Sequence, residues 1–375
     1  MTTGRRSLPA QVQDLIRPCR DKDDLSPAVA STASSAPRRG TFKAQDRLTG
    51  LLLGCATGDA LGMPVEGLDN EQTLRAIHRL GGIRDFLAPQ PHVLRSLRRL
   101  RPGCWTDDTQ LTLAIARSLI LEETLDYDAV ADAFVHAFET LELRGWDATT
   151  KQACRRLAQG THRTRSGKLG GSANAVAARI APVAAWSFLQ GESRDVLLRH
   201  CVAVGLLTHH DPRAITGAYL VALLVRDALA SSRRWDPSPE RYDELIEEAR
   251  WAEASMASTL GVSDDPMSQH LRELSDALDS DSAELAEFSG GATSYANHSI
   301  PYIIALLCGR SWDFEEGVVA AVNGGGDTDT NGAIVGAILG AATGARRLPR
   351  RFVDKVEEAE MIRDVGARFS ALFAA

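Results

Sequence analysis

From Phe42 onward, apolar residues recur at intervals of three and four and are punctuated by glycine and proline, the spacing that lays one apolar stripe along an α-helix. This periodicity predicts helices over residues 44–62, 107–123, 127–143, 148–158, 172–190, 193–207, 212–231, 238–260, 266–279, 299–308, 314–323 and 329–345. No stretch of six or more residues alternates apolar with polar as a half-buried strand does, so the expected fold class is all-α. Residues 1–40 differ: a short amphipathic piece, Pro9 to Ile16, is followed by a Ser/Ala/Pro stretch, Leu25 to Arg39, too poor in apolar side chains to order itself. They are expected to form a flexible extension, with residues 41–375 as one globular domain.

Two of the predicted helices carry glycine every fourth residue: Gly50, Gly54, Gly58 and Gly62 in the first, Gly332, Gly336, Gly340 and Gly344 in the last. Each glycine costs a helix about 1 kcal/mol against alanine, so four on one face imply that another backbone approaches closely there. Both helices are therefore expected at the centre of a tight bundle, with their ends brought towards one site.

Composition narrows the function. A formal charge of −7 and a pI near 5.8 argue against a nucleic-acid binder, which concentrates basic charge on one face. The six cysteines form no CxxC pair, which leaves neither a zinc knuckle nor a disulfide framework and suits a reducing cytoplasm. Met1 to Arg20 lacks the apolar segment of a secretory signal, and the stretch Gly332 to Ala345 is too short to cross a bilayer, so no membrane association is expected.

The chemistry concentrates in two near copies. Thr106-Asp107-Asp108-Thr109 and Asp327-Thr328-Asp329-Thr330 each precede a predicted helix. A single Asp or Thr there is an ordinary N-cap, but two aspartates exceed what capping needs. Such neighbours repel unless a cation neutralises them, and hard Asp and Thr oxygens suit Mg²⁺ or Mn²⁺, so four aspartates over two turns suggest a two-metal site. Gly324, Gly325 and Gly326 just upstream would let backbone amides cradle an anion such as a diphosphate. Gly58 to Glu66 adds two acids: Asp59 beside the glycine stripe, where an acid on a tightly packed face is expected to be hydrogen-bonded and functional, and Glu66 beyond Pro64, expected on a mobile loop or as a plain surface charge. Arg95, Arg98, Arg99 and Arg101 read as a solvated face, with attraction of an acidic phosphate ligand as the alternative.

With GDALGMPVEG (58–67), WTDDTQLTLAIA (105–116), THHDPRAITGAYLVALL (208–224) and NGGGDTDTNGAIVGAILGA (323–341) in this order, the chain resembles the ADP-ribosylglycohydrolase family from about Arg47 to Arg347. The resemblance implies an orthogonal multi-helix bundle with a central dinuclear metal cleft holding two Mg²⁺ or Mn²⁺. Thr106, Asp107 and Asp108 would be ligands from one side and Asp327, Asp329 and Thr330 from the other, with Asp329 bridging. It implies catalytic roles for Glu66 and Asp329, a substrate-side role for Asp59 near adenosine, and an ADP-ribose contact for His209, with His210 and Asp211 supporting or capping. Gly171, Ser172 and Asn174 would wrap the diphosphate, together with Gly325 and Gly326. Asn174, Arg179 and Pro182 keep the family register of that loop, but Ala173 and Ala175 stand where glycines are usual, which removes positive-φ freedom.

The implied activity is that of an ADP-ribosyl-[protein] hydrolase cleaving an N-glycosyl bond, arginine-linked first, with serine-linked and O-acetyl-ADP-ribose substrates open. The implied partner is an ADP-ribosylated protein. Two other readings stay open: a catalytically silent binding or structural member, and an immunity protein whose residues 1–40 engage an ADP-ribosyltransferase toxin.

Overall fold

The computed structural model describes residues 44–67, 70–91, 93–231 and 235–373. The extension expected over residues 1–40 lies outside them. The helices, in order, are α1 (Ala44–Gly62), α2 (Asn70–Arg79), α3 (Asp107–Glu122), α4 (Tyr127–Thr140), α5 (Ala148–Ala158), α6 (Arg163–Ser166), α7 (Ala175–Ala178), α8 (Ala181–Gln190), α9 (Arg194–Gly205), α10 (Pro212–Ala230), α11 (Pro239–Leu260), α12 (Met267–Leu274), α13 (Ser282–Phe288), α14 (Ala296–Gly309), α15 (Phe314–Asn323), α16 (Thr328–Thr343), α17 (Arg350–Val353) and α18 (Ala359–Ala371). The strand content is one parallel pair of two residues each, β1 (Lys168–Leu169) and β2 (His209–His210).

The glycine stripes account for the centre of this bundle. α1 and α16 make the most extensive helix contact in the molecule. A Cβ built on Gly58 would stand 1.8 Å from the Gly332 carbonyl oxygen, one on Gly54 2.1 Å from that of Gly336, and one on Gly50 2.4 Å from that of Gly340. Numbers rise along one helix as they fall along the other, so the pair is antiparallel and backbone packs on backbone. With no side chain between them, the two helices align their opposite ends closely. α18 covers α1, α15 and α10 flank α16, and the leucine, isoleucine and valine side chains around them form one continuous core. The longest apolar helical stretch is Ala44–Val65 rather than Gly332 to Ala345; it has the length and composition to cross a bilayer, but its apolar window lies wholly inside the fold.

The helix expected over 172–190 is divided. Asn174 N–H donates to the Ser294 carbonyl at 2.9 Å, Ala296 N–H donates to the Ser172 carbonyl at 2.9 Å, and Ala173 bridges Tyr295 in antiparallel fashion. Backbone pairing with a distant segment therefore takes the groups a helix would have used, and helix begins only at Ala175. α2, α6, α13, α17 and α18 fall outside the helices that periodicity predicts; α6 and α17 are single turns, and α2 and α18 carry their apolar residues diluted among charges.

Candidate active site

Because α1 and α16 are antiparallel, the end of one meets the start of the other. Thr328 donates its hydroxyl to the Gly62 carbonyl at 2.8 Å, and a Cβ on Gly62 would lie 2.1 Å from the Thr328 carbonyl oxygen. A 3₁₀ turn, Met63–Val65, then carries the chain to Glu66, which is half-buried rather than on the loose loop expected beyond Pro64. Its carboxylate joins those of Asp327 and Asp329, each offering an oxygen within 4.8 Å of the others.

α3 brings the second motif to the same place. Neither Thr106 nor Asp327 caps its helix with its side chain. Asp59 does that work for α3 from across the bundle: its carboxylate accepts from Thr106 N–H at 2.9 and 3.0 Å, Thr109 N–H at 3.1 Å, the Thr106 hydroxyl at 2.8 Å and the Thr109 hydroxyl at 2.6 Å. Asp59 is fully buried, so the substrate-side role expected for it does not fit; it anchors the aspartate motif. Relieved of capping, Asp108 reaches Thr330 of the second motif, while Asp107 lies beside Gly145, within range of the Glu66 charge. Two contacts join the motifs: Thr106 Oγ1 lies 3.2 Å from Asp329 Oδ2, and the Thr330 hydroxyl donates to Asp108 Oδ2 at 2.9 Å.

So many acids in one cleft perturb one another. Burial first, then Asp327, pushes Glu66 up to about 8. Asp107, Asp108 and Asp329 are held well above the ordinary carboxylate range, first by burial and next by Asp147, Asp107 and Glu66 respectively. Burial raises Asp327 too, against the amide of Asn174, which donates to it at 2.8 Å. Carboxylates crowded and buried in this way favour a neutralising cation. Two oxygens about 2.0–2.6 Å from a shared Mg²⁺- or Ca²⁺-sized ion stand at most about 4–5 Å apart, and Glu66, Asp327 and Asp329 offer oxygens within 4.8 Å of one another.

The residues expected around the diphosphate are placed differently from one another. Gly171 and Ser172 lie in the turn between β1 and α7, while Asn174 is buried and bonded to Asp327. Ala173 and Ala175 need no positive φ; the first sits in the bridge to Tyr295 and the second in helix. His209 is not open to a ligand. It is fully buried beneath Gly171, with Nδ1 2.8 Å from the Thr208 hydroxyl, and burial followed by the Arg179 charge pushes it down to about 4. Asp211 caps α10, accepting from Arg213 N–H at 2.9 Å, and pairs with the Arg213 guanidinium.

Gly325 and Gly326 have φ of 86° and 69°, but the close approach at Gly326 is to protein: a Cβ there would lie 2.2 Å from the Ala292 carbonyl oxygen. Ala292 itself was invisible in the sequence. Its φ of 49° turns that carbonyl onto Asp327 N–H at 3.0 Å and the Asn331 amide at 3.0 Å, which fixes the loop carrying the second aspartate motif. Arg179, read only as a register marker, is a buried guanidinium 5.0 Å over the Phe134 ring that donates to the Thr208 hydroxyl.

Fold and site together define an all-α protein with a carboxylate-rich cleft that could hold a metal ion. The chain belongs to the ADP-ribosylglycohydrolase family, whose model matches residues 41–375. It is 26% identical to ADP-ribosylhydrolase ARH3 of Bos taurus over 359 residues, 90% of this chain and 95% of the relative. It is 25% identical over 332 residues to the ADP-ribosyl-[dinitrogen reductase] glycohydrolase of Rhodospirillum rubrum, 86% and 95% of the two chains. ADP-ribosylarginine hydrolase Tri1 of Pseudomonas putida matches about half of each, 28% identical over 196 residues. A solved ADP-ribosylglycohydrolase-related protein complex superposes with a TM-score of 0.64 at 25% identity, over 88% of this chain and 98% of that one. Family membership makes hydrolysis of an ADP-ribosyl bond the activity of this scaffold.

Proposed function

We propose that this protein removes ADP-ribose from a modified protein side chain, arginine-linked by preference, in the cytoplasm, with two divalent cations. The observation that carries the reading is the convergence of Asp107/Asp108 with Asp327/Asp329 and Glu66 through the contacts Thr106–Asp329 and Thr330–Asp108. A silent relative would not need so many buried acids crowded in one cleft at a cost in electrostatic repulsion. The arginine preference is supported by the name of the Pseudomonas relative, and a protein substrate by that of the Rhodospirillum relative; the name of ARH3, the longer match, specifies no linkage.

Glu66, Asp327 and Asp329 with Asp107, Asp108, Thr106 and Thr330 would hold the cations, which supply Lewis acidity and positive charge when bound. The chain's own work is to fix those oxygens through Asp59, Asn174 and Ala292 and to manage protons. Hydrolysis breaks the bond from the anomeric carbon to the side-chain nitrogen, adding water's hydroxyl to carbon and its proton to nitrogen. In this reading Glu66, half-buried beside Asp327 and Asp329, carries that proton. An immunity role through residues 1–40 rests on no described residue.

The test is release of ADP-ribose from defined arginine- and serine-linked peptides, with Mg²⁺, with Mn²⁺ and with chelator. Release from the arginine peptide, lost on chelation and in Asp329→Ala, is expected. Full activity in Asp329→Ala would refute the assignment.

A further inference from the structure

A groove of about 760 Å³ opens beside the carboxylate cluster, and its charge is opposite to that of the cluster. Arg95, Arg98, Arg99 and Lys151 line it. Its one acid, Glu142, lies 3.4 Å from Arg144, which also pairs with Glu357, and among the described residues no carboxylate forms an ion pair with the four cations. In a chain of net charge −7, four cations against one acid around a groove are a local reversal of sign.

The groove adjoins the reacting end of the cleft. Leu94 in its wall donates its N–H to the Glu66 carbonyl at 3.4 Å, and its side chain covers Gly67. Gly145, also in the wall, lies so near the other motif that a Cβ there would stand 2.7 Å from Asp107 Oδ1. Gly145 N–H donates to Ser96 at 3.3 Å, which ties the basic segment to this lip. The loop of Gly171 and Ser172 reaches the same cluster through Asn174 on Asp327.

We propose that this groove docks an acidic segment of the protein substrate next to the modified side chain. The inference rests on the hydrolase reading: with ADP-ribose over the Asn174 end, the leaving side chain and its polypeptide extend over Glu66 and Asp107, where the cations begin. Exposed cations raise encounter rates and select partners of opposite charge, and salt screens them.

The experiment uses the full chain and one ADP-ribosylated residue set in a glutamate-flanked and a glutamine-flanked peptide. The wild type is expected to prefer the acidic peptide about tenfold in kcat/KM at low salt, and the preference to collapse in 0.5 M salt. Combining Arg95→Glu, Arg99→Glu and Lys151→Glu should abolish or invert that ratio; Arg98 is spared because its Nε donates to the Val93 carbonyl at 3.1 Å. A ratio unchanged by the substitutions overturns the proposal. So does an equal loss on both peptides, which would mean that the groove serves ADP-ribose itself. Fluorescence anisotropy of a labelled, unmodified glutamate-flanked peptide gives a readout without turnover, with binding at least about tenfold weaker in the variant; equal binding also overturns the proposal. If the wild type releases ADP-ribose from neither peptide, the hydrolase reading fails while anisotropy still decides the groove.

Discussion

Thr330 donates its hydroxyl to Asp108 at 2.9 Å across 222 residues of chain, the shorter of the two contacts that join the aspartate motifs. Thr330→Val removes the donor, and with it any oxygen ligand, while keeping shape and volume. Groups that orient a metal-binding carboxylate are worth about 10–100-fold in metal affinity. Mg²⁺ or Mn²⁺ binding to Thr330→Val, followed by calorimetric titration, should weaken by at least that factor. Wild-type affinity would mean that Asp108 needs no support from α16.

Asp59 satisfies two buried N–H groups and two hydroxyls at the start of α3. Each buried donor left unpaired costs about 1–3 kcal/mol, so Asp59→Ala should lower stability by about 3 kcal/mol or more. Urea unfolding should show this as a lower midpoint at an unchanged slope. A loss under about 1 kcal/mol would contradict the anchoring role.

Gly58→Ala should destabilise even though alanine is the better helix former. Its Cβ would fall 1.8 Å from a backbone oxygen that cannot swing aside, so α1 and α16 must part. Overpacking of this kind costs about 1–3 kcal/mol, more than the ~1 kcal/mol gained in helix propensity. Thermal melts of Gly58→Ala and of Gly50→Ala measure it, and activity should suffer more in Gly58→Ala, which lies nearer the Glu66 end. A melting temperature at or above the wild type in both would remove the close-packing argument.

Glu66→Gln keeps size and a carbonyl oxygen but cannot carry a proton. The expected loss is a factor of about 10²–10⁴ in kcat, larger than any change in KM. Single-turnover release of ADP-ribose separates chemistry from product departure. A kcat within about twofold of wild type, far below the effect of a general acid–base group, would leave Glu66 as a ligand only.

Much of this was readable in the chain. The four-residue glycine spacing names α1 and α16 as the close pair, because backbone-to-backbone contact makes seven of these glycines tolerable; Gly344 instead ends α16 at a φ of 80°, against the Asp46 side chain. Doubled aspartates name the metal-suited cleft, since capping needs one. The 172–190 region misled because its helix-forming composition competes with a bridge to Tyr295, more than a hundred residues away, which no local pattern records. His209 and Asp59 look alike in sequence as polar groups beside motifs, yet both are fully buried and face protein.

What the sequence by itself determined is the class of fold and the kinds of atom at the site, because periodicity, glycine cost and like-charge repulsion act between neighbours or over one helix turn. Which carboxylate meets which was decided by the tertiary structure alone. Gly62 against Thr328, Asp59 beneath Thr106 and the Ala292 carbonyl on Asp327 are long-range contacts. They come from the antiparallel docking of two smooth helices and from satisfying buried polar groups, and both belong to the whole packed chain rather than to any segment of it.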